Sequence, residues 1–301
     1  MKTICTILVL CIFSTSLLWA AAYDDMLAKM NKLANTYPNY VQIIDIGQND
    51  QGNTIYGMKV ENTQCSTEGT KVPQLLVGCH HGNEKLSADV CPIFVEKTVK
   101  KMMDKNSSEY KALSRSVFYV IPVLNIGGYN SNSRTEKNKA GKSFDPNRDY
   151  PDPCAQNTHF QLASIKNLAY FVEKFNIVGA VTAHGYIGTF TFPWGMYTSN
   201  TKTKDHSQFL SMAQQSVKAN GYRIGTHADV IYPASGSFED WAYHTYGVWC
   251  MLLEHKSGAN LDKDADCLVA YFCVVPDVKS KDHAHPANNC NRDATEGPGR
   301  P

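Results

Sequence analysis

Hydrophobic and polar positions follow two different periods along the chain. Four stretches carry apolar residues at helical spacing, which predicts amphipathic helices near residues 24–35, 85–104, 159–175 and 205–219. Short apolar runs rich in Val, Ile and Leu are typical of buried strands, and they cover residues 74–79, 116–124, 177–182 and 248–253. This alternation predicts an α/β fold, a single domain with a mixed, mostly parallel β-sheet and helices on both faces.

Polar residues follow each of the four predicted strands. They occupy residues 80–84, 125, 184–186 and 254–255. In open α/β sheets, ligands bind in the crevice beyond the carboxyl ends of the strands. We therefore expect these side chains to meet, although they are far apart in the sequence.

The first 22 residues differ from the rest. An apolar run over residues 4–19 follows a short basic start, and residues 20–22 are alanines of the kind that a signal peptidase accepts. A membrane anchor is the alternative, but the run is short for a spanning helix. We predict a secretory signal peptide over residues 1–22, cleaved before Tyr23, and no membrane anchor. The protein is then expected to be secreted, or held in an endomembrane or lysosomal compartment.

Composition and charge limit the classes of partner and the extent of the folded domain. Lys and Arg number 29 against 28 Asp and Glu, a net charge of +1, which does not predict a nucleic-acid partner. From Lys279 onward the chain is polar and rich in Pro, Gly, Asn and Asp. We therefore expect a folded domain over residues 23–278 and a polar tail over residues 279–301 that is at best an ordered surface loop.

Ten cysteines occur, two of them in the predicted signal. The other eight are an even number in an exported chain, which predicts disulfides. None forms a Cys-x-x-Cys pair, so a structural zinc ribbon is not expected. Cys79 and Cys250 lie in apolar runs, where a free buried thiol is an equal alternative.

Three of the polar residues after predicted strands are of the types that hold a catalytic zinc. His81 and Glu84 are three positions apart where a strand turns into a helix, and His184 follows another strand. A core histidine is the alternative for His184. Glu254 ends the fourth apolar run, where an unpaired charge is costly, so it either pairs with a cation such as Lys256 or acts as a base toward a metal-bound water.

These residues also form an ordered pattern. His81-x-x-Glu84, Asn147-Arg148, His184, Tyr232 and Glu254 resemble, in this order, the zinc metallocarboxypeptidases of the carboxypeptidase A/B type. The most specific stretch runs from Ile231 to Trp241 and on to Glu254, and the resemblance covers essentially the whole chain after residue 22. It implies a carboxypeptidase-like fold and a catalytic domain over residues 23–278. No activation prodomain is visible between Ala22 and Tyr23.

The resemblance assigns a role to each matched residue. His81, Glu84 and His184 would hold one zinc ion per chain, and Glu254 would be the general base. Asn147 and Arg148 would grip the terminal carboxylate of the substrate, Tyr232 would close over it, and Tyr186 would also bind substrate. Arg134 would stabilise the oxyanion, with Lys137 or Lys139 as alternatives because this loop matches less well. The expected partner is a peptide or protein C-terminus, and the expected assembly is a monomer.

Glu239 carries the prediction of specificity. It falls on the position that resembles the floor of the pocket for the C-terminal side chain, where an acid would favour Lys or Arg. Pairing of Glu239 with His227, or Phe238 taking its place, is the alternative. The other inferred pocket residues are small or apolar: Thr191, Gly195, Ile231, Ala234 and Leu252. Asn83 stands where the family often has a basic residue, and Asn125 to Tyr129 replace the usual Asn-Pro-Asp-Gly turn.

Three other functions remain open from the sequence. They are a carboxypeptidase that prefers aromatic or aliphatic ends, a peptidase for the γ-D-glutamyl–diaminopimelate bond of peptidoglycan, and a secreted binding protein that has lost the chemistry. The last is disfavoured because the inferred ligands and Glu254 are all present.

Overall fold

A computed structural model describes residues 14–64, 71–153, 159–197 and 201–284. The helices are α1 (Ser14–Thr36), α2 (Lys85–Met103), α3 (Tyr110–Ser114), α4 (Ile126–Ser131), α5 (Ala163–Lys174), α6 (His206–Ser216), α7 (His227–Val230), α8 (Phe238–Tyr246) and α9 (Leu261–Val274). The strands are β1 (Val41–Gln48), β2 (Thr54–Glu61), β3 (Val72–Val77), β4 (Ser116–Ile121), β5 (Glu136–Lys137), β6 (Ser143–Phe144), β7 (Gly179–Phe192), β8 (Arg223–Thr226) and β9 (Trp249–Lys256).

The main sheet is mixed. Its order is β1-β2-β4-β3-β7-β8, with β9 paired to β7. The pairs β1–β2 and β2–β4 are antiparallel, whereas β3 pairs in parallel with both β4 and β7. Strand β4, antiparallel to β2 and parallel to β3, is buried at all six positions, as a central strand covered on both faces should be. The predicted fold class is thereby confirmed.

Strand β9 lies between two segments of β7. Glu254 is paired with His184 on one side and with Thr189 on the other, and Leu252 is likewise paired with Thr182 and Thr191. Cross-strand partners point to the same face of a sheet. Two parallel rows of side chains result, an upper row (His184, Glu254, Thr189) and a lower row (Thr182, Leu252, Thr191).

An aromatic cluster joins the sheet to the helices beside it. Phe94 of α2, Phe118 of β4 and Phe272 of α9 are fully buried, with ring centroids 5.4–5.7 Å apart. Two of the three ring pairs meet edge to face, a favoured geometry for aromatic pairs. This packing holds α2, which follows the His81 loop, and α9, which follows β9, against the same strand.

The expected disulfide framework does not extend to the cysteines that the structure describes. Cys79, Cys91, Cys250, Cys267 and Cys273 are all free thiols, four of them fully buried. They pack as small apolar side chains in strands, helices and the loop after β3, so disulfides are not found at these five positions, and the free-thiol alternative holds for Cys79 and Cys250. Cys65, Cys154 and Cys290 lie outside the described residues.

The two ends of the chain differ from the expectation in detail. Helix α1 begins at Ser14, so the predicted cleavage position before Tyr23 falls within it, and residues 1–13 lie outside the described residues. At the other end, Ser280 is buried and its N–H donates to the carbonyl of Gly247 at 2.8 Å. The first residues of the tail are therefore packed rather than loose. Among the residues described, no helix is both long and apolar enough to span a bilayer.

Candidate metal centre and substrate site

The loop after β3 turns sharply before α2 begins. Cys79 has a φ of 46°, and its N–H donates to Ser87 Oγ at 2.9 Å, which offsets the cost of this left-handed backbone. A Cβ atom on Gly82 would lie 2.0 Å from the backbone of Gly128, so only glycine permits this approach to α4. The turn carries His81 and Glu84 to the carboxyl edge of the sheet.

His81, Glu84 and His184 converge there. Their ligand atoms all lie within 4.8 Å of one another, and all three side chains are buried. Glu84 Oε1 is 2.9 Å from His81 Nδ1, Glu84 Oε2 is 2.9 Å from His184 Nδ1, and the two Nδ1 atoms are 3.2 Å apart. Ligands about 2.0–2.1 Å from a tetrahedral zinc are about 3.3 Å from each other, so the donor set and its spacing fit this ion.

Charged neighbours hold the ligands in place. His81 Nε2 is 2.9 Å from Asp145 Oδ1, which orients the ring so that Nδ1 faces the centre. Burial opposes protonation of His81, but Glu84 and Asp145 outweigh it and raise its pKa to about 9. Burial also opposes ionisation of Glu84, yet His81 and His184 hold its pKa well below the ordinary value. A cation at the centre would take the place of the proton that these groups attract.

Arg134 lies against the same cluster. Its Nη1 atom is 3.1 Å from His81 Nδ1 and 3.5 Å from Glu84 Oε1, and its Nε atom donates to Asp145 Oδ2 at 2.9 Å. Lys137 and Lys139 of the same loop are exposed. Of the three candidates for the oxyanion, the structure brings Arg134 to the site.

His184 and Glu254 do not end their strands, as the sequence suggested, but lie within β7 and β9. Their pairing puts the Glu254 carboxyl beside the metal ligands. Burial raises the pKa of Glu254 to about 8, and repulsion from Glu84 adds to the effect. The Oε2 atom of Glu254 has no hydrogen-bond partner in the part of the chain described, and no ion pair there joins Glu254 to Lys256.

Arg148 and Tyr232 form a second polar group near His184. Arg148 Nη2 donates to the Tyr232 hydroxyl at 3.1 Å, and Tyr232 is more than one third exposed. Asn147, which is buried, uses its Oδ1 atom to accept from the N–H of Phe238, and its Nδ2 atom is 3.5 Å from His184 Nε2. Tyr186 is exposed, and its hydroxyl donates to the carbonyl of Asn83 at 3.0 Å.

Glu239 lies in the first turn of α8 and rests on the lower row. Its Oε1 atom accepts a hydrogen bond from Thr182, whereas Oε2 is buried and has no partner within the described ranges. The alternative pairing with His227 is therefore not found. Phe238 does not take its place, since its ring packs 5.5 Å from that of Tyr150.

From the sequence, His227 was expected only as an alternative partner for Glu239. The structure puts its ring beside the predicted pocket residue Gly195, where an added Cβ would lie 3.1 Å from the imidazole. Burial, helped by Arg148 and His184, lowers the pKa of His227 to about 3, so the ring is neutral at physiological pH. Its Nε2 atom and Thr191 Oγ1 are buried without hydrogen-bond partners among the residues described.

Asp145 was missed as a site residue. It stands in the segment Asp145-Pro146-Asn147-Arg148 that supplied Asn147 and Arg148, but nothing in that spacing shows that its carboxylate reaches His81. The only sequence feature that marks Asp145 is its position three residues before Arg148, and this spacing is too common to identify a site residue. Only the contact in space identifies it.

Comparisons with known proteins agree with this geometry. A sequence profile described as zinc carboxypeptidase matches residues 26–267. Zinc carboxypeptidase A 1 of Anopheles gambiae is 27% identical over 253 residues, which are 73% of this chain and 56% of that protein. Carboxypeptidase B of Bos taurus is 27% identical over 256 residues, which are 73% of this chain and 59% of that protein. The chain thus spans less than two thirds of the length of these relatives.

A solved structure has a similar fold. Bovine thrombin-activatable fibrinolysis inhibitor, in complex with a tick carboxypeptidase inhibitor, superimposes with a TM-score of 0.69 at 21% identity. The match covers 84% of this chain and 94% of that chain. At this identity the likeness supports the fold.

Proposed function

The chain belongs to the zinc carboxypeptidase family, and we propose that it is a zinc-dependent exopeptidase that removes the C-terminal residue of peptides and proteins. The observation that carries this proposal is the convergence of His81, Glu84 and His184 beside the partnerless carboxyl oxygen of Glu254. Three buried ligands of the types that zinc prefers, with a carboxylate next to them, are the components of a hydrolytic site.

Hydrolysis of an amide requires a polarised carbonyl, an activated water and a proton for the leaving amine. Zinc held by His81, Glu84 and His184 would polarise the carbonyl and lower the pKa of a water. Glu254 would accept the proton of the attacking water and deliver it to the leaving amine, because its Oε2 atom is not committed to another donor. Arg134, whose charge lies against the ligands, would stabilise the oxyanion.

Exopeptidase action would follow from Arg148. Its guanidinium is a planar donor fork that suits a carboxylate, and only a terminal residue brings one to this place. Asn147 lies between this fork and His184, which supports a short distance from the gripped carboxylate to the scissile bond. Tyr232, exposed and bonded to Arg148, would close over the bound residue, and Tyr186 would contact the chain upstream.

We further propose a preference for Lys or Arg at the C-terminus. Glu239 bonds Thr182 in the lower row, and two residues along a strand separate this row from the upper one, roughly 6–7 Å. An acid at this depth can pair with the end of a long basic side chain. Its Oε2 atom is buried and unpartnered, and a buried carboxylate gains most from an arriving cation. The named relatives include both A and B types, so the preference rests on Glu239.

Export is also proposed, from the pattern of residues 1–22. We propose that this segment is a signal peptide, that residues 23–278 are the catalytic domain, and that the mature protein is a secreted monomer. N-terminal sequencing of protein recovered from the medium of expressing cells tests the first point, since it should begin at Tyr23. Sedimentation of the same protein tests the last.

A peptide-release assay tests the activity. The purified protein is incubated with peptides of mixed sequence, and the released amino acids are identified with and without a zinc chelator. We expect single C-terminal residues to be released, release to stop with chelator, and zinc to restore it. Release of internal fragments, release only from muropeptides, or no release at all would each contradict the proposal.

A second assay tests the specificity. The quantity measured is kcat/KM for matched peptides that end in Arg, Lys, Phe and Leu, in the wild type and in Glu239→Gln. Basic ends should lead in the wild type and lose most of that lead in the variant, while Phe and Leu change little. Glu136→Gln is the matched control, because Glu136 is also a buried glutamate but contacts Asn49 and Ser164 instead of the lower row. A wild type that prefers Phe or Leu would refute the basic preference and leave the activity standing.

A further inference from the structure

One oxygen of the Glu254 carboxyl group, Oε2, has no hydrogen-bond partner among the described residues. The backbone of β9 therefore contributes to the direction of the side chain. A general base must lie within about 2.6–3.2 Å of the proton that it takes, and its position therefore matters for the rate. The contacts that hold the C-terminal end of β9 therefore affect the position of Glu254.

The two residues after Glu254 are anchored to one buried carboxylate. His255 Nδ1 is 2.6 Å from Oδ2 of Asp264, and the backbone N–H of Lys256 donates to the hydroxyl of Tyr222 at 2.9 Å. The same hydroxyl donates to Asp264 Oδ2 at 2.9 Å. One carboxylate in the first turn of α9 thus holds a side chain and, through Tyr222, a backbone amide of β9.

The buried centre of this network is the pair His255 and Asp264, whereas Tyr222 and Asn220 are partly exposed. His255 is 0% exposed and Asp264 is 1% exposed. A buried carboxylate is stable only when donors satisfy it, and Asp264 has three, since Asn220 Nδ2 also donates to its Oδ1 atom at 2.9 Å. Such a fully partnered group permits little movement of the elements that it joins, which are β9, α9 and the segment before β8.

The network lies on the opposite face of the sheet from the metal ligands. Successive side chains of a strand point to opposite faces, so His255 points away from the site into which Glu254 points. The contact of Lys256 is to its backbone, so it acts directly on the course of the chain. None of these groups can touch the substrate, and any effect must pass through the position of Glu254.

We propose that Asp264, Tyr222 and His255 are positioning residues that fix Glu254 for proton transfer. This role rests on the proposed function. A misplacement of about 1 Å can cost about 10²-fold in rate, so loss of one anchor should lower kcat. Substrate affinity and metal binding should be unchanged, because Arg148 and the three ligands are held by other contacts.

The test is Tyr222→Phe, which removes only the hydroxyl. Tyr271→Phe is the matched control, because the hydroxyl of Tyr271 in α9 donates to the carbonyl of Trp249, at the other end of β9, at 2.5 Å. Tyr271 is fully buried, whereas Tyr222 is partly exposed. Both variants lose one tyrosine hydroxyl bonded to the backbone of the same strand, but only one loses it next to Glu254. Both changes are repeated in the Glu254→Gln background.

We expect Tyr222→Phe to lower kcat by about tenfold or more at constant KM and zinc content, and Tyr271→Phe to leave kcat within about twofold of the wild type. In the Glu254→Gln background, Tyr222→Phe should have no further effect on the residual rate. Asp264→Asn, which keeps the shape of the carboxylate, should reproduce the loss of kcat. Both tyrosine variants should lower stability, but only Tyr222→Phe should lower kcat. These results would therefore separate an effect on the position of Glu254 from an effect on stability.

Three outcomes would overturn the inference. Tyr222→Phe could keep its kcat, it could lose no more than Tyr271→Phe, or it could lower the rate of Glu254→Gln as strongly as that of the wild type. An inactive wild type would refute the proposed function itself, and this role with it. The first three results require an active wild type, so the two failures are distinguishable.

Discussion

The metal-binding cluster and the pocket beside it are both buried and polar, but their polar atoms are partnered in opposite ways. In the cluster, Glu84 touches both histidines with one oxygen each, and Asp145 touches His81 and Arg134. In the pocket, single atoms of Glu239, His227 and Thr191 are buried without a hydrogen-bond partner within the described ranges.

From this difference we infer what kind of ligand each region binds. A buried polar group without a partner costs free energy, and native proteins retain few of them. In the cluster, opposite charges surround a point that a cation can occupy. In the pocket, a carboxyl oxygen, an imidazole nitrogen and a hydroxyl have no hydrogen-bond partner among the described residues. We therefore propose that the cluster binds an ion and that the pocket receives a side chain of the substrate.

The largest effect should come from removing one ligand of the cluster. His184→Ala should reduce the zinc content from about one per chain to near zero and abolish activity, because two ligands do not hold zinc tightly. His80→Asn is the control, since His80 is equally buried and stacks 5.6 Å from His184 but is not one of the three ligands. Elemental analysis of both variants measures this. Full zinc occupancy in His184→Ala would show that His184 is not a ligand.

Glu254 lies where the two regions meet. Glu254→Gln should keep zinc and peptide binding and lose about 10²–10⁴-fold in kcat, the range that a general base supplies. Stopped-assay rates and zinc content, measured on one preparation, check this. A variant that retains more than about a tenth of the wild-type rate would show that Glu254 is structural.

A change to Asp145, which contacts a ligand of the cluster, should have a smaller effect. Asp145→Asn weakens the contact that orients His81 and the charge that pairs with Arg134, and groups behind a metal ligand contribute about 10–100-fold in affinity. We expect zinc dissociation constants to rise by this factor, as measured by competition with a chelating dye. An unchanged constant would mean that Asp145 serves only the local fold.

The smallest effect on activity is expected at Glu136, a carboxylate whose partners are neutral, where the change acts on stability. Glu136 contacts Asn49 and Ser164, and burial raises its pKa from 4.5 to about 7. The folded state therefore binds a proton that the unfolded state releases, so stability is greatest below pH 4.5 and falls as the pH rises to about 7. Glu136→Gln should remove this loss and be more stable than the wild type at pH 8 by on the order of 2–3 kcal/mol.

Denaturant unfolding of the wild type and Glu136→Gln at pH 5 and pH 8 measures this difference. The two proteins should differ little at pH 5 and most at pH 8. Equal stability at both pH values would show that Glu136 is ionised without cost, in contrast to the expectation for a carboxylate with neutral partners.

The sequence by itself determined the fold class, the ligand candidates and the family. Helical and strand periods in a sequence follow from which faces are buried, so they can be read from a single chain. Each of the four predicted strands accordingly starts within about three residues of the observed strand. Metal ligands of fixed type and spacing, such as His81 and Glu84, are also local features. Even the choice of Glu239 required only its place in a specific stretch.

Other features were decided only by the tertiary structure. The sequence did not show that Glu254 would stand between His184 and Thr189, because strand order and register arise from packing of distant segments. The same holds for Asp145 against His81 and for Asp264 against His255, which are contacts across 64 and 9 positions of the chain. Five of the eight cysteines after residue 22 are free thiols, which a count of cysteines does not show. A partner in space leaves no mark at either position in the sequence, and so the side chains that orient the site had to be found in three dimensions.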